Sequence, residues 1–136
     1  MSEIYRDVGV VLRTYKLREA DRIIVIHTRD NGKVRAVAKG VRKTKSKFGA
    51  RLEPMSHVSL QLYRGRELDI VTQAESVEPL APMLSSLDRA SQGLAVLEAA
   101  DQLSLEREPN PRLYQMIVGV LRTIAQKPSP LNVPAF

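Results

Sequence analysis

The chain has 136 residues, enough for one domain with at most a small appendage, and its 43% hydrophobic and 26% charged composition is that of an ordinary globular protein. It has no cysteine and two histidines, His27 and His57, which excludes disulfide staples, thiolate metal sites, cysteine nucleophiles and a histidine-rich metal centre. No apolar run approaches the length of a membrane span, and the opening residues carry an acid, Glu3, and no apolar signal core, so the reading is of a cytosol-type protein.

The net charge of +6 is unevenly spread. Residues 1–80 hold 16 basic and 10 acidic side chains, whereas residues 81–136 hold five of each. Between Asp30 and Glu53 the cations Lys33, Arg35, Lys39, Arg42, Lys43, Lys45, Lys47 and Arg51 occur with no acid among them. Such a one-signed cluster repels itself unless a ligand neutralises it, and it points to a polyanion partner.

The first eighty residues read as strands. Val8, Val10 and Leu12 alternate with Asp7, Gly9 and Arg13, the period of a half-buried strand. A polar connection, Arg18 to Asp21, leads into the β-branched run Arg22–Thr28, and Asp30-Asn-Gly32 supplies the positive-φ residues of a hairpin. In Lys33–Lys39, Val34, Ala36 and Ala38 share one face, which predicts three solvent-facing cations, Lys33, Arg35 and Lys39, on the other. Gly40 to Pro54 is a polar loop of a length that is usually functional or disordered. Two further alternating runs, Val58–Tyr63 and Leu68–Gln73, flank the hairpin connection Arg64-Gly-Arg66. Five strands in this arrangement predict a small β-barrel, since closure buries one face and leaves no open edge.

From residue 81 the period becomes helical. Ser85 and Asp88 read as a capping box, and Leu87, Ala90, Leu94 and Leu97, continued by Ala100 and Leu103, form the expected apolar stripe. Asn110 and Pro111 make an N-cap and first position for a second helix, whose expected core face is Leu113, Ile117, Val120 and Ile124. Ser129-Pro130 repeats that signature close to Phe136, so residues 81–136 read as the truncated start of a helical domain behind a barrel of residues 1–80.

An ordered series of segments is distinctive: Leu17-Arg-Glu-Ala-Asp-Arg-Ile-Ile24, Thr28-Arg-Asp-Asn-Gly-Lys33, Ala38-Lys-Gly-Val-Arg-Lys43, Ser46-Lys-Phe-Gly49, Leu52-Glu-Pro54 and Leu62 to Gln73, with the Glu-Pro-Asn-Pro helix start near residue 110. Over essentially the whole chain these resemble the N-terminal part of the RecO family of bacterial DNA repair and recombination mediators. The resemblance implies an OB-fold barrel followed by an α-helical segment. It implies binding to single- and double-stranded DNA and annealing of complementary strands. It further implies cooperation with RecR in loading RecA onto DNA coated with single-strand-binding protein, whose acidic tail relatives capture through the helical domain. A cytoplasmic, nucleoid-associated location follows, without enzymatic activity, cofactor or metal. Relatives are longer, and many carry a paired-cysteine zinc site in the part beyond this chain.

The chemistry is that of a phosphate reader. Each phosphate neutralised by Lys or Arg releases condensed counterions with little dependence on sequence. Lys33, Arg35 and Lys39 on the strand, with Arg42, Lys43, Lys45, Lys47 and Arg51 on the loop, form the expected DNA-binding surface, near the face where OB folds lay out oligonucleotides. Of the aromatic residues Tyr5, Tyr15, Phe48, Tyr63, Tyr114 and Phe136, Phe48 within the basic loop is the candidate for stacking on a base, or alternatively an anchor packed onto the barrel. No phosphate-binding glycine loop and no catalytic constellation is visible. His27 reads as a packed histidine, His57 as one with no nearby acid in sequence to orient it, and Glu19 and Asp21 as part of a salt-bridged turn beside Arg18 and Arg22. Two other readings use the same residues: an RNA-binding OB module of translation or ribosome assembly, and an adaptor that docks RecR or another protein.

Overall fold

A computed structural model describes residues 3–40, 48 and 51–127. Five strands, β1 (Ile4–Lys16), β2 (Arg22–Thr28), β3 (Gly32–Ala38), β4 (His57–Tyr63) and β5 (Asp69–Glu78), close into a barrel in the order β1-β2-β3-β5-β4. Three helices follow, α1 (Leu80–Met83), α2 (Leu87–Leu103) and α3 (Pro111–Gln126). The architecture is the expected five-stranded, OB-like ring followed by helices.

β1 is the long strand that makes closure possible. Its first half pairs with β4 and its second half with β2, and the register shifts between Val11 and Arg13. A bulge there bends the strand and re-aims its side chains. Val11 therefore enters the barrel interior with Ile24, Ile26, Val34, Leu60 and Leu62, whereas Val10 and Leu12 belong with Val25 to a second core outside the barrel. Simple alternation had given this strand a polar face. The helices supply the difference: Leu97, Leu113, Ile117 and Leu121 cover Val10, Leu12 and Val25, so both faces of the sheet are dry there.

The helix starts follow the chemistry of their caps, one residue later than expected for α2. Ser86, not Ser85, accepts from the Arg89 N–H. Asn110 accepts from Leu113 N–H at 3.1 Å, with Pro111 at the start of α3 as expected. The expected stripe of α2 holds in part: Leu97 and Ala100 lie in the core with Ala90 packed against it. Gly93, Leu97 and Ala100 are its buried residues, while Leu87, Leu94 and Leu103 are exposed. In α3, Val120 is also exposed, and Val118 and Leu121 take its place in the core. An apolar face is chosen by what it packs on, here a curved sheet, and a helix with leucines on several sides leaves that choice open.

The segment between α2 and α3 returns to the barrel. Lys33 N–H donates to Leu105 O at 3.1 Å and Arg107 N–H to Lys33 O at 3.0 Å, adding a short parallel bridge to β3. Gly32 has φ +66°, and a Cβ there would lie 2.0 Å from Glu108 O. The hairpin glycine read from the sequence thus also gives the connector its seat.

Candidate nucleic-acid interface

Strand alternation directs Val34, Ala36 and Ala38 inward, where they are fully buried, and turns Lys33 and Arg35 outward. The outward face is not open, because α2 and the connector lie over it. Lys33 Nζ is 2.6 Å from Asp101 Oδ1 and donates to Asp101 O at 2.7 Å, leaving its side chain only 14% exposed. Arg13 Nε reaches the other carboxylate oxygen at 2.8 Å. Burial pushes the Asp101 carboxyl up, but the hydrogen bonds from Lys33 and Arg13 outweigh it and hold it below its ordinary value. Arg35 donates to Tyr15 Oη at 2.6 Å and lies 3.8 Å from Glu106. The expected row of solvent-facing cations is therefore corrected for Lys33, whereas Arg35 keeps its side chain 37% exposed beside Glu106. A cation under a packed helix is retained only with a counter-charge, and Asp101 and Glu106 provide one.

Lys39 is different. It is exposed at the end of β3, and none of the ion pairs among the described residues involves it. The register sets Lys16 opposite Arg22 and Arg22 opposite Ala38, so three strands bring Lys16, Arg22 and Lys39 to one end of the barrel. Arg18, on the β1–β2 connection there, is 73% exposed and 3.9 Å from Asp21. Asp21 also accepts from Gly40 N–H at 2.8 Å, which fixes the chain at the point where it leaves β3. Arg22 donates to Thr14 Oγ1 at 2.9 Å. Lys16 is not singled out by the sequence, and Arg22 is read there only as part of a salt-bridged turn. Their signal was the short 17–21 connection, which forces the last residue of β1 and the first of β2 to be neighbours.

Arg51 is exposed and donates to Ala74 O at 3.3 Å. Phe48 is 1% exposed and, with Leu52, completes the barrel interior beside Leu60, Val71 and Ala74. Of its two readings, the side chain occupies the anchor's position, and it offers no face to a base in this conformation. Arg42, Lys43, Lys45 and Lys47 lie outside the described residues, as do most of the 40–54 loop and the Ser129-Pro130 helix start.

The remaining polar clusters join barrel to helices. His27 is fully buried: its Nε2–H donates to Asn110 O at 3.3 Å, so Nδ1 accepts from Ser104 Oγ at 2.5 Å. Burial lowers its pKa, partly opposed by the Asn110 carbonyl. His57 has no acid nearby in sequence and gains an orienting one through the fold. Pairing of β4 with β5 sets it opposite Glu78, which accepts from its Nδ1 at 2.8 Å, while Tyr114 donates to Nε2 at 2.7 Å. Arg122 clamps the same Glu78 at 2.9 Å. Asp69, wholly buried, accepts from Tyr5 Oη, from Arg107 at 2.6 Å and from Gly65 N–H at 3.0 Å. Burial raises the Asp69 carboxyl, and the Arg107 and Tyr5 hydrogen bonds overcome this and lower it. Every buried ionisable side chain in these clusters has a structural partner. Among the described residues no group of three or more acids and histidines is arranged to hold a metal, and no helix is long and apolar enough to cross a membrane.

Comparison with known families divides the chain much as its periodicity does. The description "Recombination protein O N terminal" matches residues 1–80, and "Recombination protein O C terminal" matches residues 84–136. With the five-stranded ring and its basic end on one side of that division and helices on the other, the chain belongs to the RecO family of recombination proteins.

Proposed function

We propose that this chain binds single- and double-stranded DNA through the cationic end of its barrel, anneals complementary strands, and assists RecR in loading RecA onto DNA covered by single-strand-binding protein. The family is one of non-enzymatic mediators of DNA repair and recombination. The observation that carries the finer reading is the pairing state of the cations. Lys16 and Lys39 stay exposed with no carboxylate partner among the described residues, at the end of the barrel where the acid-free basic segment leaves β3, whereas Lys33 and Arg35 are tied to the helical segment. Unpaired cations release counterions from DNA at no internal cost. Annealing then needs no chemistry: phosphate repulsion between two strands is screened while their base edges stay free to pair.

The test is fluorescence anisotropy with a labelled single-stranded oligonucleotide across a salt series. If about four to six phosphates are contacted, log K falls against log salt with a slope of roughly −3 to −5. Reversing Lys16 and Lys39 to Glu lowers affinity about tenfold or more and flattens the slope by about two, with an unchanged melting transition because both side chains are exposed. Unaltered binding and annealing in that variant would remove the DNA face from this end of the barrel. Tighter binding to a matched RNA would move the reading to an RNA module.

A further inference from the structure

Resting on the DNA-binding reading above, we propose that Arg35 is a phosphate-binding position held in reserve by Glu106, whose carboxylate occupies the place that a phosphate takes when DNA arrives. Two cations on the same face of β3 are tied down very unequally. Lys33 Nζ is 2.6 Å from Asp101 Oδ1, also donates to Asp101 O, and has a side chain only 14% exposed. Arg35 Nε is 3.8 Å from Glu106 Oε1, beyond hydrogen-bond range, and the two side chains are 37% and 58% exposed. A loose, wetted pair of this kind adds little stability and exchanges partners readily.

The guanidinium itself is not loose. Arg35 Nη2 donates to Tyr15 Oη at 2.6 Å, and that hydrogen bond, more than the charges of Glu106 and Glu67, raises its pKa above the ordinary value. A cation already fixed on one side loses little side-chain entropy when a phosphate takes the other. Its remaining N–H groups fit carboxylate and phosphate oxygens alike, so one anion can stand in for the other. Lys39, four residues on, is about 13 Å away along the strand, and a single DNA strand can meet both.

Glu106 is placed to give way without unfolding its surroundings. Its neighbours Leu105 and Arg107 hold the connector to Lys33 through one backbone hydrogen bond each, at 3.1 and 3.0 Å. The Arg107 side chain is anchored on Asp69 at 2.6 Å. The connector therefore stays seated while the exposed Glu106 side chain turns aside. The other carboxylate acting on Arg35 is Glu67, on the β4–β5 connection, whose charge reaches it without an ion pair among the described residues. When DNA leaves, the Glu106 carboxylate returns to Arg35, so release does not leave a bare cation behind.

The experiment is a double-mutant cycle read by fluorescence anisotropy with labelled oligothymidylate. Glu106→Gln raises affinity about three- to fivefold, Arg35→Gln lowers it, and in the Arg35→Gln background Glu106→Gln changes it less than about 1.5-fold. Glu67→Gln, which removes a nearby charge but no ion pair, gives a smaller gain than Glu106→Gln. A second measurement needs no variant: in the unaltered chain the Arg35 Nε–H resonance shifts on titration with oligothymidylate, while the Lys33 amide, bound to Leu105 O, keeps its slow exchange. No gain from Glu106→Gln, an equal gain with and without Arg35, or an unmoved Arg35 resonance overturns the proposal. Weaker binding on reversal of Lys16 and Lys39, with no coupling in the cycle, sinks the Glu106 gate alone. Coupling with no effect of that reversal supports the gate and moves the DNA face from the barrel end to Arg35.

Discussion

Truncating Phe48 separates a base platform from a structural anchor. Its ring is 1% exposed among Leu52, Leu60, Val71 and Ala74, so Phe48→Ala removes a large side chain from a closed interior that can collapse little. Such a change costs about 3–5 kcal/mol, a large share of the 5–15 kcal/mol typical of a whole domain. With a urea m-value of about 1–3 kcal/mol/M, the midpoint falls by roughly 1–5 M. Phe48→Leu keeps most of the volume and costs less than about 1.5 kcal/mol. The assay is urea unfolding followed by far-ultraviolet circular dichroism, combined with oligonucleotide binding under conditions where each variant remains folded. The order wild type, Leu, Ala is expected in stability, with DNA affinity nearly constant. An unchanged unfolding midpoint with affinity lowered by the roughly 1–3 kcal/mol of a lost base stack would refute the anchor assignment.

Two further perturbations test the joints between barrel and helices. The folded pKa of His27 lies below the ordinary 6.5, so the unfolded chain takes up its proton at higher pH than the folded one. Its contribution is fully present above about pH 6.5 and is lost as pH falls from there towards the folded value, and His27→Gln should flatten melting temperature against pH in that window. The depressed carboxyls of Asp69, Asp101 and Glu78 act lower, losing their contribution below about pH 4, so their effect is separable in the same titration. Finally, Gly32→Ala should destabilise by at least about 1–3 kcal/mol, since φ is +66° and the new Cβ meets Glu108 O. Gly119→Ala, in helix α3 with nothing within 4 Å of the added Cβ, should stabilise by about 1 kcal/mol; thermal melts of the two variants moving in the same direction would contradict the geometry.

Local chemistry was legible in the sequence. Four alternating runs and one β-branched run mark the strands, Asn31-Gly32 the hairpin, and Asn110-Pro111 the start of α3, because each depends on residues adjacent in the chain. What could not be read was any partner far away. Lys33 and Arg35 look free on their strand, and only the return of α2 and the connector shows them facing Asp101 and Glu106. His57 lacks an acid within its own segment and gains Glu78 through sheet register. The apolar stripe of α2 is legible only in part, at Ala90, Leu97 and Ala100, for the same reason: Leu87, Leu94 and Leu103 are as apolar as Leu97, and only the barrel surface selects between them. At the candidate interface, Lys39 was visible on its strand, while Lys16 and Arg22 join it through pairing of three strands.

The covering of β1 and β2 by the helices has a consequence for the order in which the protein is made. Synthesis runs from the N-terminus at about 5–20 residues per second, so all five strands leave the ribosome before Leu97, Leu113, Ile117 and Leu121 exist. For the roughly forty residues between Leu80 and Leu121, a few seconds at that rate, Val10, Leu12 and Val25 face water and the Lys33 edge lacks the Leu105–Arg107 bridge. An apolar sheet face beside an unpaired strand is the combination that recruits other chains. Aggregation of the nascent barrel should therefore be sensitive to a pause in translation between residues 80 and 121, and insensitive to one placed after the last turn of α3.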